Sequence, residues 1–125
     1  MTELFPGQGG FIADCRARLA FDLLSNTWNP VVVWVLRNGP LRPVELQRRI
    51  GGIRTKVLAE TLRRLQQNGL VSRNSYREAP PRVEYHLTEL GESLLEPIEA
   101  LGAWAARYGD EVVAAQERAE RPRVG

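Results

Sequence analysis

One stretch constrains the fold more than any other: Ile53 to Asn68, IRTKVLAETLRRLQQN. Leu58, Leu62 and Leu65 recur at i, i+4 and i+7, so one side of a helix is apolar. The opposite side of the wheel carries Lys56, Glu60, Arg63 and Gln67, flanked by Ala59 and Arg64. Gly69 follows at once and can take the left-handed conformation that ends helices. Two β-like runs come next, Leu70–Tyr76 and Val83–Leu87, with Val83, Tyr85 and Leu87 alternating against Glu84 and His86. Pro80-Pro81 lies near the tip between them, where lost backbone donors do least damage. The rest of the chain must fit around this helix and hairpin.

Upstream, Pro43 to Ile50 reads as a brief helix with Val44, Leu46 and Ile50 as apolar contacts, and Gly51-Gly52 supplies a turn. Leu41 and Arg42 are read as a very short strand. Asn29-Pro30 looks like a capping side chain followed by proline at a first helical position. The run VVVWVLRN that follows favours a strand locally, but the cap and the stop at Gly39-Pro40 predict a buried helix. A first helix is expected from Cys15 to Leu24, capped by Asp14, with Leu19, Ala20, Leu23 and Leu24 as its stripe. Phe21 is left over, which points to a second contact surface. At the other end Thr88 caps a long helix with Leu90, Leu94, Leu95, Ile98, Leu101, Ala105 and Tyr108 in helical period. A kink near Pro97 or a break near Gly109 is expected there.

Helix, glycine turn, helix and hairpin predict a mainly α (α+β) fold, a winged helix-turn-helix with flanking N- and C-terminal dimerisation helices. Residues 1–12 are expected to form a flexible arm, 13–110 the domain itself, and 111–125 the helix end and a frayed tail.

A chain of 125 residues suits one hydrophobic core. It has no apolar run near the ~20 residues of a membrane span and no signal-peptide pattern, so a cytoplasmic protein is expected. Cys15 is the lone cysteine and His86 the lone histidine, which excludes an internal disulfide and an ordinary zinc site. No cofactor, metal or enzymatic activity is expected, since neither a nucleophile–base arrangement nor a phosphate-cradling glycine loop is present. The net charge of +2 conceals a division: residues 37–82 hold 11 basic side chains against three acids, a balance of +8, while residues 83–125 stand at −5. Such segregation fits a polyanion-binding face; the alternative is a solvated arginine-rich surface.

If the partner is double-stranded DNA, the Ile53–Asn68 helix would lie in the major groove. Thr55, Lys56, Ala59, Glu60 and Arg63 then face base edges. Arg64 flanks them, and Arg73, Arg77 and Arg82 populate the hairpin beside the backbone. Lys56, Arg63, Arg77 and Arg82 lead as phosphate contacts. Glu60 has two readings, acceptance from a cytosine amine or an intrahelical pair with Lys56 or Arg64.

The segment from Cys15 to about Tyr108 resembles the HxlR family of bacterial winged-helix transcription regulators. The resemblance is carried by Cys15 with Ala20, Asp22, Leu23 and Leu24, by Trp28, and by Gly39-Pro40 followed by Glu45-Leu46. It continues in Leu62-Arg63-Arg64-Leu65, in Asn68 to Arg73, and in Pro80-Pro81-Arg82-Val83-Glu84-Tyr85 with Leu87 to Gly91. The resemblance implies a homodimer built from the first and last helices, binding a pseudo-palindromic operator and acting most often as a repressor. It also implies oxidant or electrophile sensing at Cys15, where several members carry a sensing cysteine. Arg16 and Arg18 beside a helix start favour a thiolate and Asp14 opposes it; the other reading of Cys15 is an inert buried thiol. Two departures stand out: Arg16 replaces the family's frequent proline, and Arg54-Thr55-Lys56 replaces Ser-Pro-Lys, so that Thr55 becomes the candidate cap. Competing readings are a protein-interaction module and a dimer that senses a small-molecule effector in a pocket of Trp28, Trp34 and Trp104.

Overall fold

A computed structural model describes residues 16–121, with side chains from Arg18 onward. The expected arm at 1–12, the cap at Asp14 and Cys15 itself lie outside the described residues. The chain runs α1 (Arg16–Ser25), α2 (Trp28–Val35), a 3₁₀ turn (Leu36–Asn38), α3 (Pro43–Ile50), α4 (Thr55–Gln67), β1 (Val71–Tyr76), β2 (Arg82–Leu87), α5 (Glu89–Glu92) and α6 (Leu95–Glu120). β1 and β2 pair antiparallel from Val71 opposite Leu87 to Tyr76 opposite Arg82, and Leu41 adds a single bridge to Tyr85. The molecule is a winged helix-turn-helix, mostly helical with one small sheet.

The core gathers where α2, α3 and α4 meet the base of the hairpin: Val32, Val33, Leu36, Leu46, Leu58, Leu62, Leu65 and Val71 are all within 2% of full burial. Burial explains why the valine run is helical. A β-branched residue in a helix costs a few tenths of a kcal/mol, whereas burying its side chain returns about 1.5–3 kcal/mol. Asn29 does not cap α2 as expected. The helix begins two residues earlier, at Trp28, and Asn29 is buried inside its first turn, donating from Nδ2 to the Leu23 carbonyl of α1 at 2.9 Å. Pro30 is the third residue of α2 and not its first, still within the opening turn, and the Asn29 amide serves a tertiary contact instead of a local one.

α3 starts after Arg42, whose backbone N–H donates to Glu45 Oε1 at 2.9 Å. An arginine has no acceptor to return the bond, so only half of a capping box forms. The same hydrogen bond, followed by the Arg42 guanidinium at 3.2 Å, lowers the Glu45 carboxyl below the ordinary carboxylate value. Val44 is 53% exposed and is not the core contact expected of it. Gly51 and Gly52 both have φ near +70°, at 70° and 75°, and reverse the chain into α4. Ile53 is buried in that turn, which is why it shares the apolar stripe while standing outside the helix.

α4 closes on Gly69 at φ 77° in a Schellman arrangement. The Leu70 N–H donates to the Leu65 carbonyl and the Gly69 N–H to the Gln66 carbonyl, each at 3.0 Å. Thr88 then ties the hairpin's far end to this point. Its hydroxyl donates to the Gly69 carbonyl at 2.6 Å and accepts from the Gly91 N–H at 3.0 Å, which confirms it as a cap.

The long C-terminal helix is interrupted at Ser93–Leu94, between α5 and α6 and a few residues before Pro97, and it runs on unbroken through Gly109. Pro97 falls in the first turn of α6, where no intrahelical bond is lost. Leu94, Leu95 and Ile98 pack on the core, whereas no residue of α6 is fully buried. Leu19 and Phe21 of α1 are likewise exposed, at 59% and 56%, so Leu19 leaves the expected stripe and joins Phe21 outside.

Candidate nucleic-acid interface

α4 presents two chemically opposite sides. Leu58, Leu62 and Leu65 face inward with Thr61, whose hydroxyl donates to the Val57 carbonyl at 2.8 Å and so is satisfied while buried. On the other side Lys56, Ala59, Arg63 and Gln67 are exposed, with Glu60 and Arg64 half-buried beside them. Glu60, Arg63, Arg64 and Gln67 line a shallow, open, polar depression along this flank. Among the described residues Glu60 makes no ion pair with Lys56 or Arg64, so the intrahelical reading of Glu60 is not realised.

Thr55 is the first residue of α4 and not its cap; Arg54 occupies that position and makes no side-chain capping bond. The Thr55 hydroxyl instead lies 3.1 Å from Gln47 Nε2 of α3. No local pattern announces this contact, because it links residues eight apart across a turn.

The arginines divide by what they touch. Arg82 Nε lies 3.1 Å from Glu84, its Nη2 lies 3.4 Å from Glu78, and its guanidinium stacks 4.7 Å above the ring of Tyr76, its cross-strand partner. Arg82 therefore fastens the wing, with its charge already balanced. Arg37 stacks 4.4 Å over Trp34 and donates to its carbonyl at 2.9 Å, and Arg42 is paired with Glu45. Arg73 on β1 and Arg77 just beyond it are exposed, as are Arg48 and Arg49 of α3 and Arg54 at the head of α4. Arg48, Arg49 and Arg54 were not among the residues expected at the interface, although they belong to the same basic segment.

The three tryptophans do not converge within one chain. Trp28 packs against the core, while Trp34 lines an apolar groove between α2 and α6 with Pro30, Val31, Val35, Ile98 and Leu101. Trp104 stands further along α6 with its ring centroid 5.6 Å from that of Tyr108. No group of three or more potential metal ligands and no helix long and apolar enough to cross a membrane occurs among the described residues.

α4 thus has one apolar and one polar side, and the hairpin beside it is braced by Arg82. The family profile described as HxlR-like helix-turn-helix matches residues 23–113, most of the chain. The protein belongs to the HxlR family. The HTH-type transcriptional regulator YkvN of Bacillus subtilis is 41% identical over 103 residues, covering 82% of this chain and 87% of its own. The solved structure of transcriptional regulator ytfH from Salmonella typhimurium superposes with a TM-score of 0.70 at 36% identity, covering 82% of this chain and 92% of that one. The reduced form of the transcriptional regulator YodB from B. subtilis gives 0.66 at 40% identity, covering 73% and 89%. YodB has also been solved after diamide treatment. These HxlR-type relatives are transcription regulators, not enzymes, and the chain is a transcription regulator of the same family. Cys15 lies outside the profile match.

Proposed function

We propose that this HxlR-family regulator binds a pseudo-palindromic operator in double-stranded DNA as a homodimer and represses transcription there. The observation that carries the reading is the outer side of α4. Lys56, Ala59 and Arg63 are exposed and Glu60 is half-exposed, with no ion pair among the described residues to satisfy them. Thr55, Lys56, Ala59, Glu60 and Arg63 would meet base edges and Arg64 the groove wall, while Arg73 and Arg77 of the wing would meet phosphates. Arg82 would act from within the wing by shaping it.

Dimerisation rests on α6, a 26-residue helix about 39 Å long that leaves Leu101, Trp104 and Val112 at 53%, 54% and 41% exposure. An apolar stripe of that length without cover marks an interaction surface, and a second copy matches it by symmetry. Cys15, one residue before α1 in sequence, is assigned a redox role on the likeness to YodB. With no second cysteine in the chain, its oxidation leads to an intersubunit disulfide or a small-thiol adduct, whereas an electrophile would alkylate the thiolate without oxidising it.

Titrating duplex DNA over a range of salt concentrations tests the reading. Arg63→Ala is expected to weaken binding and to reduce the slope of log affinity against log salt by about 0.9 if it meets one phosphate. Binding that is indifferent to salt and to Arg63 would point to a protein-interaction module. Cys15→Ser is expected to abolish release from DNA by diamide while leaving reduced binding intact; a serine variant that still responds excludes Cys15 as the sensor.

A further inference from the structure

Between α3 and α4 the backbone is held by little of its own. Gly51 and Gly52 both have positive φ, and a β carbon at either would meet nothing within 4 Å, so the turn is sterically loose. Arg54 places no capping side chain on α4. What crosses the turn is one side chain, Gln47, half-buried on α3. Its terminal amide lies 3.0 Å from the Ile53 carbonyl and 3.1 Å from the Thr55 hydroxyl. A carbonyl can only accept, so the atom facing Ile53 must be the amide nitrogen, and its second proton goes to Thr55. Both Gln47 donors are thereby spent on the last residues of the turn and the first residue of α4. Its oxygen lies 3.5 Å from the Thr55 hydroxyl, too far to hold that proton firmly, which leaves Thr55 able to donate outward.

We infer that Gln47 is a positioning residue for sequence discrimination: it touches no DNA, but it fixes the angle and depth at which α4 and the Thr55 hydroxyl are presented. Buried Ile53 anchors the turn from below and Gln47 anchors it from the side. Removing the second anchor frees the head of α4 to shift on its glycine turn while its Leu58, Leu62 and Leu65 side stays packed. Base contacts require placement within a fraction of an ångström, whereas phosphate attraction tolerates such a shift.

Because this role presupposes the DNA contact proposed for α4, the test has one arm with DNA and one without. Gln47→Met keeps the length of the side chain and removes both donors. The probes are a duplex selected by the wild-type protein from a random pool and a scrambled duplex of equal length. The variant is expected to lower the ratio of the two affinities about tenfold, the scale of a lost base contact, with scrambled-duplex affinity and its salt slope unchanged. A uniform fall on both duplexes, or an unchanged ratio, overturns the role. The DNA-free arm is amide exchange at Leu58, whose N–H donates to the Arg54 carbonyl at 2.9 Å in the first turn of α4. Exchange there is expected to quicken severalfold while Leu65 is unaffected. If Leu58 does not change, the clamp itself is disproved whatever the duplexes show. If Leu58 quickens but the wild type never prefers its selected duplex, DNA reading by α4 fails and the discrimination role with it, while the clamp stands.

Discussion

Gly69 and Gly91 exclude larger residues for different physical reasons. At Gly69 the obstacle is the backbone: φ is +77°, and an added β carbon would meet only a Leu90 methyl at 3.8 Å. Gly69→Ala is therefore expected to cost about 1–2 kcal/mol, the penalty of a left-handed L-residue. At Gly91 the obstacle is space, since a β carbon would overlap the Leu70 carbonyl oxygen, which is backbone and cannot swing aside. Gly91→Ala should cost at least about 1–3 kcal/mol, as overpacked sites do. Urea unfolding should rank wild type above Gly69→Ala and Gly69→Ala above Gly91→Ala; a Gly91→Ala variant of wild-type stability would mean this close approach is absent in solution. Glu45 adds a pH prediction. Its carboxyl is lowered below 4.5 in the folded chain, so its contribution is present above that value and is lost as pH falls through the lowered one. Glu45→Gln should thus be less stable than wild type at neutral pH and should converge with it once the pH has fallen below the lowered carboxyl value. A gap that persists in acid would refute the pairing with Arg42. Gly69 was legible in sequence because a helix stop is local; Gly91 owes its constraint to Leu70, 21 positions away, and carried no such signal.

Elements were legible where period and punctuation agreed. Leu58, Leu62 and Leu65 marked α4, and Gly69 marked its end, yet its start was placed two residues early. Ile53 is as buried as a helical residue although it belongs to the turn. At the C-terminal end Pro97 signals a disruption nearby, which the chain resolves as a break, ending α5 at Glu92 and restarting so that proline falls in the first turn of α6, while Gly109 interrupts nothing. Gln47 and the bracing of Arg82 were illegible because both are made by folding. The hairpin carries a prediction of its own. Arg82→Ala removes contacts to Glu78, Glu84 and Tyr76 at once, so the strand ends should loosen. Amide exchange near Tyr76 and Arg82 should quicken while that near Val71 and Leu87 does not. An unaffected wing with a lost salt slope would instead make Arg82 a phosphate contact.

At the scale of the molecule, the segregation of basic charge into residues 37–82 was visible in sequence, and the structure refines it. Arg37, Arg42 and Arg82 are engaged by Trp34, Glu45 and the wing's own carboxylates, whereas Lys56, Arg63, Arg73 and Arg77 are exposed and make no ion pair among the described residues. Assembly is the complementary expectation. Trp104→Glu would place a charge in the stripe of α6 without entering the core, and sedimentation should show monomers that fold normally but lose DNA affinity. The central claim, that paired copies place α4 in successive major grooves, is tested most directly by hydroxyl-radical footprinting on DNA flanking the protein's own gene. Two protected half-sites with centres about 10–10.5 base pairs apart, both lost in the Trp104→Glu variant, are the predicted result. A single protected patch that survives the dissociation of the dimer, or none at all, would contradict it.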